Sequence, residues 1–244
     1  MVKSNRILII GHRGAEALAP ENTWAAFRAG YKAGADLLEL DVQLSRDGEA
    51  ILYHDFTLFK LGDPRWVRDL TWEELRRLDV GRRFGPQFAG ERIPRLAEVL
   101  AWARHRVALW VDLKHGFQAP DDDRLEMTAL ALIEEAGMAD QVIISSWDQV
   151  ALVRVHARRP DIPLAVNLRQ RVADPVGAVR HTNARWIVVY WPQVDRPTVA
   201  RLQEAGLATC LVNLFTGDYR EAQRLGVDAV SAPDPGAARA ALYG

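Results

Sequence analysis

The sequence is poor in the features that stabilise secreted proteins or anchor membrane proteins. It contains one cysteine, Cys210, in 244 residues, which excludes an internal disulfide and a cysteine-rich zinc site. No run of about 18 apolar residues is present, as a membrane span would require. The first apolar run, Ile7 to Ile10, is too short for the core of a signal peptide. We therefore expect a cytoplasmic protein without stable membrane insertion.

Excess charge of either sign is also absent. The 31 Lys and Arg residues nearly balance the 32 Asp and Glu residues, and the formal net charge is −1. Proteins that bind nucleic acids or anionic membranes through bulk charge carry a basic surplus, which this chain lacks. We expect a small-molecule ligand and no nucleic-acid partner, and the sequence leaves the oligomeric state open.

Short apolar runs, most of them followed by a helical pattern, divide the chain. Two of them, residues 7–10 (ILII) and 186–190 (WIVVY), are apolar throughout, which is typical of strands buried on both faces of a parallel sheet. From position 108 onward the runs begin about 19 to 34 residues apart, as in βα units. The predicted strands are Ile7–Ile10, Asp36–Val42, Ala108–Leu113, Val142–Ser145, Leu164–Leu168, Trp186–Tyr190, Thr209–Val212 and Asp228–Ser231. Eight such strands predict an α/β protein with a TIM (β/α)8 barrel, formed by residues 1–244 as a single domain.

One interval is longer than a βα unit requires. The second and third predicted strands begin about 72 residues apart. The additional residues, at about positions 55–94, are rich in glycine, proline and charge and include a short predicted helix at Thr71 to Leu78. Before them, Ala50 to Tyr53 is predicted to extend beside strand two. An insertion after the C-terminal end of a barrel strand lies on the face that carries active sites, so we expect it to shape the substrate pocket.

Three acidic residues fall near the ends of the second and third predicted strands. Glu39 and Asp41 are two positions apart, so their side chains point to the same side of the strand. Asp112 lies near the end of the next predicted strand. Like charges this close are costly without a cation, and three oxygen donors suit Mg²⁺ or Ca²⁺ better than zinc. An ion pair with Arg13 or Lys114 is the alternative for the Glu39–Asp41 pair.

Basic residues stand at the same strand ends. Arg13 and Lys114 could hold a phosphate beside a cation, whereas His12 and His54 could exchange protons near neutral pH. A single strand-end histidine is more often a hydrogen-bonded loop residue. The coincidence of both histidines with the carboxylates and cations favours a site that cleaves a phosphodiester.

The arrangement of motifs resembles the glycerophosphodiester phosphodiesterase family. The resemblance covers nearly the whole chain in order and implies a TIM barrel with a small insertion after strand two. The strong matches are GHRG at Gly11–Gly14, PENT at Pro20–Thr23, LELDVQLSRDGEAILYHD at Leu38–Asp55 and GERIPRLAEVL at Gly90–Leu100, and the weaker ones are SSWD at Ser145–Asp148, LVN at Leu211–Asn213 and GVDAVSAPDP at Gly226–Pro235. Combined spacing of this kind is far more specific than any one motif.

The resemblance implies metal-dependent hydrolysis of glycerophosphodiesters to sn-glycerol 3-phosphate and an alcohol, with one divalent cation, Mg²⁺ or Ca²⁺. By position, His12 and His54 correspond to the general acid/base pair, Arg13 and Lys114 to the phosphate contacts, and Glu39, Asp41 and Asp112 to the metal ligands.

The chain departs from the family pattern at two places. Asp112 stands where the family usually has glutamate, which keeps the charge but shortens the side chain by one methylene. Phe59-Lys60 stands where the family commonly has Asp-Arg, which is expected to alter how the insertion docks.

Glu21 and Asn22 precede Thr23, which is a predicted helix cap. We expect them to shape the helix entry or to orient Arg13 or His12 from behind the site.

Two alternative functions follow from the same residues. A related phospholipase C/D-type phosphodiesterase is the first, although secreted relatives of that kind rely on disulfides that one cysteine cannot form. A catalytically impaired phosphodiester-binding barrel is the second, and Asp112 is the feature that favours it.

Overall fold

The apolar runs form a closed barrel in the computed structural model, which describes residues 6–116, 119, 121–212 and 217–244. The strands of this part are β1 (Leu8–Gly11), β2 (Leu37–Leu44), β3 (Ala50–Leu52), β4 (Ala108–Leu113), β5 (Val142–Ser146), β6 (Leu164–Asn167), β7 (Trp186–Tyr190), β8 (Ala208–Val212) and β9 (Ala229–Ala232). All except β3 are parallel in the order β1-β2-β4-β5-β6-β7-β8-β9, and β9 pairs back onto β1. The predicted TIM barrel is confirmed. Asn213, the last residue of the LVN motif, lies outside the described residues.

Helices connect the strands on the outside of the barrel. They are α1 (Trp24–Lys32), α2 (Trp72–Leu75), α3 (Leu96–Ala103), α4 (Arg124–Glu135), α5 (Gln149–Arg158), α6 (Pro175–Val179), α7 (Arg196–Glu204), α8 (Arg220–Leu225) and α9 (Pro235–Tyr243). Side chains of Thr23, Asp148 and Asp195 accept hydrogen bonds from backbone N–H groups in the first turns of α1, α5 and α7. Among the described residues, none of these helices has the length and apolar character needed to span a membrane.

Successive side chains of the barrel strands point into two different environments. On β2, Leu38 and Leu40 belong to the large apolar layer between strands and helices, whereas Leu37 belongs to a separate cluster with Trp110 and Trp186. The rings of these two tryptophans meet edge to face with centroids 5.6 Å apart. Because successive strand residues point to opposite faces, Glu39 and Asp41 continue the row of Leu37 toward the C-terminal end of the strand.

The insertion has its own small core beside β2. Strand β3 pairs antiparallel with the end of β2, with Val42 opposite Leu52, as the extension predicted at Ala50–Tyr53 requires. The helix predicted at Thr71–Leu78 is shorter, because α2 covers only Trp72–Leu75 behind a capping box at Thr71. The core of the insertion contains Ile51, Tyr53, Leu58, Val67, Leu70, Leu75 and Ile93.

Gly30 on α1 packs directly against the loop that follows β1. A Cβ atom at Gly30 would lie 2.2 Å from the carbonyl oxygen of Gly14 and 2.7 Å from a Leu38 methyl group. Helix propensity alone would make alanine about 1 kcal/mol more favourable than glycine. We expect the opposite sign, with Gly30→Ala destabilising the protein by about 1 to 3 kcal/mol because the backbone of the loop must move.

Urea unfolding measures this difference in the free energy of unfolding. Lys32→Ala, at an exposed position of the same helix, serves as the control and should change it by less than about 0.5 kcal/mol. A Gly30→Ala protein more stable than the parent would contradict the close packing of α1 on the loop.

Candidate active site

Three buried carboxylates meet at the C-terminal ends of two neighbouring strands. Glu39 and Asp41 lie on β2, and Asp112 on β4 is the direct strand partner of Asp41. One carboxylate oxygen from each residue lies within 4.8 Å of the other two, and their exposed fractions are 8%, 1% and 2%. A buried cluster of three carboxylates needs compensating positive charge.

Two side chains supply part of that charge. Lys114 Nζ lies 2.8 Å from Asp41 Oδ1 and 2.5 Å from Asp112 Oδ2, and Arg13 Nε lies 3.4 Å from Asp41 Oδ2. Although burial opposes ionisation, Lys114 and Arg13 hold the pKa of Asp41 well below its usual range. By contrast, burial and the adjacent charge of Asp41 raise the pKa of Glu39 to about 8. Lys114 and Arg13 therefore stabilise the ionised carboxylate of Asp41 more than that of Glu39.

This donor set fits a divalent cation. All three groups are hard oxygen donors, as Mg²⁺ and Ca²⁺ prefer. Arg13 and Lys114 supply two positive charges for three carboxylates, so the cluster can accept further positive charge. The sequence analysis gave ion pairs with Arg13 or Lys114 as the alternative to a metal, and such pairs are present at Asp41. These basic side chains and the carboxylates form one network, which is compatible with a bound metal ion.

Neighbouring side chains fix the carboxylates of Asp41 and Asp112. Asn22 donates from Nδ2 to Asp41 Oδ2 at 2.7 Å and accepts from the Asp41 backbone N–H at 3.0 Å. Ser145 Oγ and Asn167 Nδ2 both donate to Asp112 Oδ1 at 2.6 Å. The side chain of Asn22 thus contacts Asp41, and its backbone N–H donates to the carbonyl oxygen of Arg13 at 3.1 Å. Sequence analysis gave no role to Ser145, which lies in the SSWD motif, or to Asn167.

Each of the two histidines is bonded through Nδ1 to a carboxylate. His12 Nδ1 lies 2.6 Å from Glu16 Oε1, and His54 Nδ1 lies 2.6 Å from Asp55 Oδ1. A carboxylate at Nδ1 orients the ring and leaves Nε2 as the nitrogen for a substrate. Although burial lowers it, the Glu16 hydrogen bond and the charge of Glu39 give a net rise in the pKa of His12. Sequence analysis missed Glu16, because no regular strand or helix joins it to His12.

Arg13 connects the site to the residues behind it. Its Nη1 donates to Glu21 Oε2 at 2.5 Å, and its backbone N–H donates to Glu39 Oε2 at 2.7 Å. Glu21 therefore contacts Arg13, one of the two residues that it was expected to orient. Lys60 Nζ in turn lies 3.0 Å from Glu21 Oε1 and 3.0 Å from Asp55 Oδ2, which joins the insertion to the loop after β1.

A single cavity of about 560 Å³ opens over this arrangement. Its remaining walls include the apolar side chains of Ile10, Trp110 and Val188 and the guanidinium group of Arg169. The predicted catalytic, phosphate-binding and metal-binding residues all line it: His12, Arg13, Glu39, Asp41, His54, Asp112 and Lys114. Glu21 and Asn22 stand behind them. The arrangement combines a cation site, fixed positive charge and two proton carriers in a cavity that can hold a small phosphorylated molecule.

Comparison with known proteins links this cavity to one enzyme family. Residues 12–236 match the model of the glycerophosphoryl diester phosphodiesterase family. A glycerophosphodiester phosphodiesterase of Caldanaerobacter subterraneus subsp. tengcongensis is 36% identical over 172 residues, covering 70% of both chains. For two further curated relatives from Bacillus subtilis (strain 168), the aligned part covers 65% and 60% of their length.

Solved structures share the barrel over nearly its full length. The crystal structure of a glycerophosphodiester phosphodiesterase from Agrobacterium tumefaciens is 28% identical, has a TM-score of 0.82 and covers 96% of this chain and 100% of its own. A phosphodiesterase from Oleispira antarctica, in complex with the product sn-glycerol-3-phosphate, gives a TM-score of 0.90 at 23% identity and covers 97% of both chains. At that identity the second similarity concerns the fold alone.

Proposed function

The chain belongs to the glycerophosphoryl diester phosphodiesterase family and is a phosphodiesterase, and we propose that it hydrolyses glycerophosphodiesters to sn-glycerol 3-phosphate and an alcohol. One observation carries the proposal. A cation site, two fixed cations and two carboxylate-bonded histidines converge on one cavity. Hydrolysis of a phosphodiester needs each of these: charge stabilisation at the phosphate, a base for the nucleophile and an acid for the leaving alcohol.

Glu39, Asp41 and Asp112 would hold one divalent cation, Mg²⁺ or Ca²⁺. Such an ion, when bound, neutralises charge on a non-bridging phosphate oxygen. Lys114 and Arg13 flank the same carboxylates and stabilise the remaining negative charge that develops on the phosphoryl group. Ser145 and Asn167 hold one oxygen of Asp112 in place, which fixes the direction of this carboxylate.

His12 and His54 act as the acid/base pair. One Nε2 takes a proton from the nucleophile, and the other gives a proton to the departing alkoxide. The nucleophile is water or the 2-hydroxyl of the substrate glycerol, and the second route gives a cyclic phosphate that is then hydrolysed. Detection of a cyclic glycerophosphate during turnover distinguishes the two routes.

Glu16 is assigned as a positioning residue that acts through His12. Glu16→Ala is expected to lower kcat about 10- to 100-fold with little change in KM, because the ring of His12 loses its orientation. In a His12→Ala background the same change should cost less than about 2-fold, since no ring remains to be oriented. In the same His12→Ala background, Asp55→Ala should still lower kcat as much as it does in the wild type, because Asp55 contacts the other histidine, His54. Equal losses from Glu16→Ala in both backgrounds would contradict the assignment.

Release of sn-glycerol 3-phosphate tests the proposed function directly. The protein is incubated with several glycerophosphodiesters in EDTA, Mg²⁺, Mn²⁺ or Ca²⁺, and the products are separated. Release that depends on a divalent ion supports the proposal. Release of a phosphorylated head group instead would indicate the phospholipase C-type alternative. Binding of the diesters without any product would indicate the impaired barrel that Asp112 favours.

A further inference from the structure

We propose that a groove beside the catalytic cavity binds the leaving alcohol of the substrate and favours an uncharged polyol, such as glycerol or inositol. This proposal rests on the proposed function. The groove, which we call the insertion groove, has a volume of about 450 Å³. It lies between the loop after β1 and the insertion and is lined by Glu16, Pro20, Glu21, Tyr53, Lys60, Leu61, Val80, Arg83 and Phe84.

The insertion groove is lined by one neighbour of each histidine, although neither histidine lines it. Glu16 lines the groove and the catalytic cavity alike, and it is the carboxylate that bonds His12. Tyr53, another wall residue, directly precedes His54. A histidine that protonates the departing alkoxide must lie beside that oxygen. The carbon skeleton attached to the oxygen therefore extends past the histidine and toward the groove.

The charged walls of the groove offer no free carboxylate for a cationic head group. Both oxygens of Glu21 are engaged, one by Arg13 and the other by Lys60. Glu16 is engaged by His12. A trimethylammonium group placed here would meet the cations of Lys60 and Arg83 without an unpaired anion to balance them.

Two hydrogen-bonding groups in the groove have no partner in the part of the chain that the structure describes. The hydroxyl of Tyr53, a residue only 7% exposed, makes no hydrogen bond there. Arg83 makes no hydrogen bond or ion pair with any other residue in the described ranges, although its charge acts on Tyr53. A buried hydroxyl is normally paired, so the hydroxyl of Tyr53 indicates a missing ligand group.

The remaining walls match the carbon skeleton of a small polyol. Pro20, Leu61, Val80 and Phe84 present apolar surface, against which C–H groups pack. Donors from Tyr53 and Arg83 suit the oxygens of the hydroxyl groups. Apolar surface with a few placed donors is the usual composition of a small-molecule subsite.

Substrate competition tests the proposal. The values of kcat/KM for glycerophosphoglycerol and glycerophosphoinositol are compared with that for glycerophosphocholine in the full-length protein. The wild type is expected to prefer the two polyol diesters. Arg83→Gln and Tyr53→Phe should each reduce that preference about 3- to 10-fold, the range for loss of one hydrogen bond to substrate, mainly through KM.

Arg82→Gln is the matched control. Arg82 neighbours Arg83 in sequence, but it pairs with Asp79 and does not line the groove, so its variant should keep the wild-type preference. A wild type that prefers glycerophosphocholine, or a preference unchanged in both groove variants, would overturn the proposal while leaving the phosphodiesterase function intact. Failure of the wild type to release glycerol 3-phosphate from any of the three diesters would instead refute the proposed function.

Discussion

Replacing His54 by alanine is expected to lower kcat with glycerophosphocholine by about 10²- to 10⁴-fold, the usual contribution of one general acid or base. The structure supports this role because His54 lines the catalytic cavity and is oriented by Asp55 at 2.6 Å. His12→Ala is expected to lower kcat by a factor of the same order. Initial-rate measurements of glycerol 3-phosphate release give both values.

A substrate with a better leaving group then shows which histidine is the general acid and which is the general base. An alcohol needs protonation to depart, whereas p-nitrophenol does not. With a glycerol p-nitrophenyl phosphodiester, the variant that lacks the general acid should recover most of its activity, and the variant that lacks the base should not. His181→Ala, at an exposed position that does not line the cavity, serves as the control. Near-normal turnover of glycerophosphocholine by His54→Ala would remove His54 from the mechanism.

Exhaustive chelation is expected to lower activity by about 10²-fold or more, since a bound divalent ion supplies several kcal/mol of transition-state stabilisation. Mg²⁺ or Ca²⁺ should restore it. The buried trio of Glu39, Asp41 and Asp112 also predicts an effect without substrate. An ion at 100 times its Kd should add about 2.7 kcal/mol to the free energy of unfolding.

A variant pair makes the metal prediction specific. Asp41→Asn should abolish both the recovery of activity and the stabilisation by the ion, because it removes one of the three ligands. Asp161→Asn, at an exposed carboxylate that pairs with Arg159, should retain both. Undiminished activity after chelation, together with no response to added ions, would contradict a metal-dependent mechanism.

The sequence predicted the barrel well because its strands are encoded locally. Runs of apolar residues such as Trp186–Tyr190 and Ala108–Leu113 coincide with β7 and β4. Helix starts are marked less sharply, because Asp121 and Asp218 lie two or three residues before the first helical residue, which is Arg124 in α4 and Arg220 in α8. In both cases aspartate side chains bond the backbone at the turn before the helix.

The site was predictable where family motifs or strand ends mark it. Seven charged or proton-carrying residues of the cavity were named in this way, whereas Glu16 and Arg169, which also line it, were not. Asn167 contacts Asp112 across 55 residues, and Ser145 contacts it across 33. Contacts of this kind depend on which strands become neighbours, so no local pattern identifies them.

The lysine at position 60 determines how the insertion contacts the mouth of the barrel. An ammonium group is a compact charge that rotates freely on a flexible stem, in contrast to the rigid fork of an arginine. Lys60 is about half exposed and serves two carboxylates at once, Glu21 on the barrel side and Asp55 on the insertion side. At this point the insertion and the barrel mouth are therefore joined through a single point charge that two carboxylates share, and not through the two-pronged pairing that an arginine would give.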